Sequence, residues 1–380
     1  MELLFGIIVG VVILVLLVTV HELGHAIFAR RNGVVVEEFG IGFPPRAWAK
    51  KLKNGVLFTL NWLPLGGFVK LQGEHDAASQ KGDYGAATYW QKTRILLAGV
   101  LINWFVAALL LTVLAWTGLP KILPNQFSVA NDTTIVKKPI ELTLVTKDSP
   151  AEKAGLQAGD QILRFGGQLI ESPAELSEAT KKNQGKTVEI IYSRDGVENS
   201  KNVVLRTDAE KGYLGVSSDQ RQQIQASWSA PIVGVVTTAQ FTYVTLQGLG
   251  DLLVDFFKGI LLQFSFNPET REEAGKSLEK AGNSVAGPIG ILGTIFPAAE
   301  QAGLTQLIFL TAIISLTLAV MNALPIPALD GGRWFTMTIF RLLKKPLTKE
   351  REEKIQTIGF MILMGLIIVV TIADVGKIFK

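Results

Sequence analysis

Four long apolar segments constrain this 380-residue chain more than any other feature of its sequence. Each approaches or exceeds the roughly 20 residues that cross the hydrocarbon core of a bilayer as a helix. They are Leu3–Val20, Ile95–Leu119, Leu304–Leu324 and Ile355–Ile372. The first could be a cleaved signal peptide. However, it has no basic residues at its start, and no small-residue cleavage site follows it. We therefore expect a retained first helix and a polytopic α-helical membrane protein with about four transmembrane helices.

The charge distribution predicts the orientation of these helices. Arg30–Arg94 holds ten Lys or Arg against five Asp or Glu, and Arg333–Lys354 holds seven against three. The long stretch Lys121–Glu300 reverses the balance, with eighteen against twenty-one. Because short basic loops stay in the cytoplasm, the N-terminus and the middle region are expected outside it. The chain has no cysteine, so disulfides and thiolate chemistry are excluded, and nothing in the charge pattern indicates nucleic-acid binding.

Spans and connecting segments divide the chain into eight predicted parts. In order, these are the first span 1–30, a cytoplasmic segment 31–94, the second span 95–119, a soluble domain 126–208, an extracytoplasmic linker 209–303, the third span 304–332, a basic cytoplasmic loop 333–354 and the fourth span 355–375.

A β-hairpin is predicted at about residues 55–72 of the cytoplasmic segment. Val56–Leu63 is rich in strand-forming residues, Pro64 and Gly66-Gly67 supply turn chemistry, and Phe68–Leu71 is expected to return as the second strand. The hairpin is very apolar, and at membrane depth it is tolerable only if it is buried in protein or lines a cavity. Its edge could then accept an extended peptide as an extra strand. A surface hairpin with exposed aromatic residues is the alternative.

The soluble domain carries the sequence SPAEKAGLQAGD at residues 149–160 and a helix start at Ser172-Pro173, in the favoured N-cap and N1 pairing. The stretch resembles a PDZ domain of the type found in bacterial protease-associated proteins, which makes it an α+β domain. The resemblance implies a groove for an extended peptide or a C-terminus. A folded spacer that excludes bulky substrates is an equally open interpretation.

Two further segments are ambiguous. The apolar stretch Phe241–Phe264 contains Asp251, Asp255 and Lys258, which favours an interfacial helix over a fifth span. In the second span, Gly99 and Asn103 lie four residues apart; such a pair is typical of close helix packing, and a role in a site is the alternative.

The sequence HELGH ends the first apolar segment. His21 and His25, four residues apart on a helix, project from one face and can hold one zinc ion, while Glu22 can act as general base. The chain has only three histidines, and polar groups are costly on a membrane helix. A pair of structural core histidines is the alternative, and this setting disfavours it.

A catalytic zinc ion needs a third protein ligand. His75 lies in a polar loop and is expected to be solvated, whereas Asp330 ends the apolar third span. Pro325 and Pro327 prevent regular helix before it, and Gly331-Gly332 are expected to let the backbone bend beside the carboxylate. The predicted topology brings Asp330 to the depth of HELGH. Helix capping by Asp330 is the alternative.

Together these motifs resemble the site-2 protease family of intramembrane zinc metalloproteases, and within it the bacterial regulator of sigma E protease type. The resemblance covers nearly the whole chain and rests on HELGH, on NALPIPALDGG at residues 322–332 and on the PDZ-like domain. One departure is that the bacterial relatives often carry two PDZ domains, whereas this chain has one.

The resemblance implies that His21, His25 and Asp330 bind Zn²⁺ and that Glu22 is the general base. It also implies substrate or oxyanion contacts for a wider set of residues: Asn322, Asn103, Gly66, Gly67 and Phe68. The expected activity is cleavage of transmembrane segments of single-span proteins, such as anti-sigma-factor-like substrates or signal-peptide remnants, in the bacterial inner membrane. An inactive scaffold that uses only its PDZ domain is a second class, and the intact His21, Glu22, His25 and Asp330 argue against it. A zinc transporter is a third, but the sequence lacks the polar positions along several spans that would favour it, and a transporter would not explain the PDZ-like domain.

Overall fold

The computed structural model describes residues 2–208, 212–265, 267–283 and 286–378. The chain divides into two compact units. Unit 1 comprises Met1–Leu114 and Pro231–Lys380, and unit 2 comprises Ala115–Ala230.

The described residues form eleven α-helices and eleven β-strands. The helices are α1 Glu2–Arg31, α2 Tyr89–Thr117, α3 Pro150–Lys153, α4 Pro173–Lys182, α5 Ala230–Gln263, α6 Pro268–Asn283, α7 Pro288–Gly290, α8 Phe296–Gln301, α9 Leu304–Ala323, α10 Asp330–Leu342 and α11 Lys349–Ile378, with a π-helical turn at Ile291–Ile295. The strands are β1 Val36–Lys51, β2 Leu57–Leu71, β3 Leu119–Pro120, β4 Thr134–Lys137, β5 Ile140–Val145, β6 Gln161–Phe165, β7 Gln168–Leu169, β8 Thr187–Arg194, β9 Val197–Val204, β10 Val216–Asp219 and β11 Gln222–Gln225.

Helix α1 packs closely against α8 because two of its residues have no side chain. A Cβ atom on Gly6 would lie 2.6 Å from Cα of Pro297, and one on Gly10 would lie 2.7 Å from the ring of Phe296. The glycines therefore form the contact face, and the aliphatic side chains around them supply the apolar surface that a bilayer solvates.

Within the described residues, five helices are long and apolar enough to cross a membrane, namely α1, α2, α5, α9 and α11. The prediction of about four spans left out α5, because Asp251, Asp255 and Lys258 interrupt its apolar pattern. The helix begins at Ala230, however, and carries no charged residue before Asp251. Its first part therefore has the composition of a span, while Asp255 and Lys258 form ion pairs with Lys280 and Glu273 of α6.

The apolar sheet of unit 1 differs from the predicted hairpin. Val56–Leu63 and Phe68–Leu71 were expected to pair with each other, but both belong to β2, and their partner is β1. Gly40 of β1 is paired with Thr59 on one side and with Phe68 on the other, so the start of β1 lies between the two halves of β2. The prediction missed β1 because its residues, which include Pro44 and Pro45, lack a regular alternation of apolar and polar residues.

Unit 2 is built on a sheet with the strand order β10-β5-β6-β8-β9, and β7 pairs with β6. Strand β10 belongs to it, although it follows residue 208, where the soluble domain was predicted to end. It pairs with β5 through Val216↔Val145 and Asp219↔Glu141. A second sheet has the order β3-β11-β4. The buried core of the first sheet is aliphatic apart from two aromatic residues, Phe165 and Tyr192.

Serine caps fix the two helices of unit 2. Ser172 accepts a hydrogen bond from the backbone N–H of Glu175 at 3.2 Å, with Pro173 in the first turn, which confirms the predicted helix start. Ser149 caps α3 in the same way. Asp160, whose side chain is 1% exposed, is satisfied by the guanidinium of Arg194 at 2.6 Å. That carboxylate raises the pKa of Arg194 above its ordinary value.

Candidate functional site

Three side chains from distant parts of unit 1 converge at one point. Nε2 of His21 lies 3.0 Å from Oδ2 of Asp330, and Nε2 of His25 lies 3.1 Å from the same oxygen. The two Nε2 atoms lie 3.1 Å apart. Both histidines are buried and Asp330 is partly buried. The structure thus brings together the three residues that the sequence predicts as metal ligands.

The triangle of ligand atoms has nearly the size that zinc requires. With Zn–N and Zn–O bonds of about 2.0–2.1 Å, neighbouring ligands of a tetrahedral ion lie about 3.3 Å apart. The three edges here are 3.0, 3.1 and 3.1 Å. Two imidazoles and one carboxylate are also a ligand set that suits zinc and leaves a fourth position for water or substrate. The residues present therefore fit the ion.

The hydrogen bond at Nδ1 of His25 determines that the other ring nitrogen, Nε2, is available to bind a metal ion. Nδ1 of His25 lies 2.8 Å from the carbonyl oxygen of Ile95 in α2. A carbonyl oxygen only accepts, so Nδ1 carries the proton, and in the neutral ring Nε2 presents its lone pair to the point of convergence. This is the ring state that binds a metal ion.

Gly99 of α2 leaves space beside the same nitrogens. A Cβ atom at this position would lie 2.5 Å from Nε2 of His25 and 2.6 Å from Nε2 of His21. Gly24 of α1 similarly allows the two helices to approach, since its Cβ would lie 2.8 Å from the carbonyl oxygen of Ala98. Glycine at both positions therefore keeps the two histidines close to α2 without filling the site.

A break between two helices delivers Asp330. Helix α9 ends at Ala323, and Leu324 is extended with φ −67° and ψ 148°, as expected for a residue before proline. Gly331 and Gly332 were predicted to bend the backbone, but both lie inside α10. Their role is close approach, because Cβ atoms there would lie 2.2 Å and 1.9 Å from the carbonyl oxygens of Ala323 and Ile326.

Glu22 lies beside the ligand cluster and next to β2. The backbone N–H of Val69 in β2 lies near its carboxylate. Together with His25, Asp330 and Phe68, it lines a cavity of about 440 Å³. A carboxylate that reaches both the ligand cluster and an open cavity can exchange a proton with a bound water molecule.

The lining of this cavity also includes an ion-pair network that the sequence did not reveal. The guanidinium of Arg333 contacts Oε1 of Glu74 and Oε1 of Glu352, both at 3.0 Å, and it stacks over the ring of Tyr84. Burial raises the pKa of the Tyr84 phenol, which therefore stays neutral. The only available sequence signal was the position of Arg333, one turn of helix after Asp330.

His75 departs from the predicted solvated loop. Its ring lines the same cavity as Glu22, and its Nδ1 is buried without a hydrogen-bond partner among the described residues. It is not one of the three residues whose ligand atoms converge. The loop folds against the cavity because Arg333 holds the preceding residue, Glu74.

The other predicted site residues lie at different distances from the ligand cluster. A Cβ atom on Gly67 would lie 3.7 Å from Cγ of Glu22, and one on Gly66 would lie 3.7 Å from Val18. Asn322 donates to the carbonyl oxygen of Leu318 at 3.0 Å. Asn103 is fully buried and lies behind His21, at 3.5 Å from its Nδ1, which argues against the predicted contact with substrate.

Comparisons with known proteins show the family of this chain. The model of peptidase family M50 matches residues 9–366. A Clostridium perfringens protein that carries the provisional name of zinc metalloprotease is 31% identical over 94% of this chain and 95% of its own length. Zinc metalloprotease RasP of Geobacillus kaustophilus is 26% identical over 100% and 99%. The regulator of sigma-W protease RasP of Bacillus subtilis is 25% identical over 96% of both chains.

A PDZ domain is among the solved structures that are similar to part of the chain. It is the PDZ domain of an SdrC-like protein of Listeria monocytogenes, with 24% identity, a TM-score of 0.20, and coverage of 24% of this chain and 93% of that domain.

Proposed function

Since the chain belongs to peptidase family M50 and is a membrane zinc metalloprotease, we propose that it cuts peptide bonds inside the membrane-spanning segments of other proteins. One observation carries the proposal. His21, His25 and Asp330 converge at the end of apolar helices, so the bond that reaches them must come from a segment that resides in the membrane.

In this proposal, His21, His25 and Asp330 hold one zinc ion, and Glu22 is the general base. The ion, when bound, makes water a nucleophile near neutral pH and polarises the scissile carbonyl group. Glu22 takes the proton of the attacking water and transfers it to the amine that leaves. The backbone N–H of Val69 lies near this carboxylate and favours its ionised form, which accepts the proton.

The substrate must be unwound before it can be cut, because a membrane helix hides its peptide groups in internal hydrogen bonds. The second half of β2 lies beside Glu22 and can pair with such an extended segment. Gly66, Gly67 and Phe68 then contact the substrate backbone, and small residues at 66 and 67 let it come close. Asn322 assists by donating to the substrate or to the oxyanion once it releases Leu318.

The polar cavity supplies water to the site. Its lining includes seven ionisable side chains besides the ligands, so water is stable there, at a depth where the neighbouring helices are apolar. The basic loops next to this cavity favour its placement on the cytoplasmic side of a bacterial inner membrane. The N-terminus and unit 2 are then extracytoplasmic.

Unit 2 is proposed to act as a single PDZ domain on the outer side. Strand β10 is at the edge of its sheet and pairs only with β5 among the described strands, so an extended peptide or C-terminus can add to it. Unit 2 then either selects substrates by binding them or excludes bulky ones by size. In both cases the proposed substrates are single-span proteins, such as anti-sigma-factor-like proteins or signal-peptide remnants.

Glu22→Gln in the purified protein, reconstituted in lipid, tests the proposal. We expect zinc to be retained and cleavage of a single-span substrate to fall by at least about 100-fold, the lower range for a general base. Glu37→Gln is the matched control, because Glu37 pairs with Lys70 on the partly exposed sheet and does not line the cavity. Undiminished cleavage by the Glu22 variant would overturn the assignment.

A further inference from the structure

The side-chain amide of Asn103 lies behind the ligand cluster, and its hydrogen bonding is incomplete among the described residues. Asn103 is 0% exposed, and its Nδ2 lies 3.5 Å from Nδ1 of His21. Its Oδ1 is buried and has no hydrogen-bond partner among the described residues. A buried amide oxygen without a partner costs about 1–3 kcal/mol, so this arrangement calls for an explanation.

The chemistry of His21 supplies it. Nε2 of His21 faces Asp330 and His25 and must present a lone pair there to bind a metal ion. In the neutral ring the proton is then on Nδ1, which becomes a donor that faces Asn103. A half-turn of the amide about its terminal torsion exchanges Oδ1 and Nδ2. Oδ1 then accepts the Nδ1–H of His21, so the ring donor and the amide oxygen are paired with each other, and Nδ2 moves to the place that Oδ1 occupied.

The same helix already does this for the other histidine. Nδ1 of His25 donates to the backbone carbonyl oxygen of Ile95, two turns before Asn103 in α2. His21 lies one turn earlier in α1, and the group beside its Nδ1 is the side chain of Asn103 and not a backbone carbonyl. The turn that carries Asn103 is itself held, because Ser315 of α9 donates to the backbone oxygen of Asn103 at 2.9 Å.

We infer that Asn103 is a positioning residue of the metal centre: its side-chain oxygen accepts the Nδ1–H of His21 and so orients the ring with Nε2 towards the ion. This inference rests on the zinc site proposed above and replaces the substrate contact predicted for Asn103. Acceptors of this kind behind a histidine ligand typically change metal affinity by 10–100-fold.

Zinc affinity, measured by competition with a chelator on the full-length protein in detergent, tests the inference without any cleavage assay. Asn103→Leu keeps the volume but removes the acceptor, and we expect zinc affinity to fall by about 10–100-fold. Asn103→Asp keeps an acceptor and should stay within about threefold of the wild type. Trp104→Phe removes the hydrogen bond that the neighbouring indole N–H of α2 donates to Thr242 at 3.1 Å and is the control, with unchanged affinity.

Unchanged zinc affinity in Asn103→Leu would overturn the inference. An equal loss of affinity in Asn103→Leu and Asn103→Asp would also overturn it, because the loss would then come from altered packing and not from the missing acceptor. If Asn103→Leu does not fold, Asn103→Ala is judged by the same criteria against Asn103→Asp. If His25→Ala binds zinc as tightly as the wild-type protein, the metal site itself is overturned. This result separates a failure of the proposed function from a failure of the inference about Asn103.

Discussion

Oδ2 of Asp330 lies 3.1 Å from Nε2 of His25, although 305 positions separate the two residues in the chain. The contact exists only when α1, α9 and the start of α10 are all in place. Binding a metal ion at this point therefore favours the assembled form of unit 1 over any partly assembled form. The metal centre and the folding of the membrane part are energetically linked.

The three histidines of the chain provide a direct test of the ligand set. His25→Ala removes one ligand and should lower zinc affinity by more than about 100-fold. Loss of a residue that only hydrogen-bonds to a ligand lowers metal affinity by about 10–100-fold. His75→Ala should leave the affinity unchanged, because His75 lines the cavity but its ring is not among the converging ligands. Zinc content by mass spectrometry of the purified variants measures both. Equal zinc loss in the two variants would contradict the assignment.

Gly99→Ala should reduce zinc binding by about tenfold or more without unfolding the protein. Its methyl group would lie 2.5–2.6 Å from both Nε2 atoms, so the imidazole rings must move away from their ligand positions. Helix propensity works in the other direction, because alanine is favoured over glycine by about 1 kcal/mol inside a helix. Gly365→Ala in α11, where no atom lies within 4 Å of the new methyl group, is the control for zinc content and thermal unfolding. Normal zinc content in Gly99→Ala would show that the rings do not need this space.

Unit 2 should lose one local contact on acidification. The hydroxyl groups of Ser227 and Ser229, together with their backbone N–H groups at 2.9 and 3.0 Å, lower the pKa of Asp132 from 3.8 to about 2. Because the pKa of Asp132 is lower in the folded protein than in the unfolded chain, the ionised carboxylate stabilises the fold at pH values above 3.8. This contribution to the free energy of unfolding disappears as the pH falls through about 2.

Amide hydrogen exchange checks this expectation. Protection factors of Ser227 and Ser229 should be constant above pH 3.8 and should fall as the pH approaches 2. Asp132→Asn should lower them already at neutral pH, whereas Asp219→Asn, at an exposed carboxylate of the same unit, should not. Protection that is independent of Asp132 at neutral pH would contradict the account.

Local patterns were enough to predict the elements whose residues interact over short distances. The spacing of His21 and His25 needs only helix geometry, and the cap at Ser172 needs only the residues that follow it. Asp330 was found from the cost of a carboxylate at the end of an apolar span. In each of these cases the physical reason lies within one helix or at its end.

Features that depend on distant partners were not predictable in this way. The central position of the start of β1 follows from its pairing with both halves of β2, and the contribution of β10 follows from its pairing with β5. The place of His75 depends on the ion pair between Arg333 and Glu74. For Asn103, burial behind His21 decides which of its groups can act, and a single sequence does not show burial.

The position of the cut bond tests the central claim most directly. A single-span substrate is incubated with the protein in liposomes, and the masses of the products identify the bond. We predict cleavage within the membrane-spanning segment, with no cleavage by Glu22→Gln under the same conditions. Cleavage by the wild-type protein only in the soluble flanks of the substrate, with the spanning segment intact, would contradict the account.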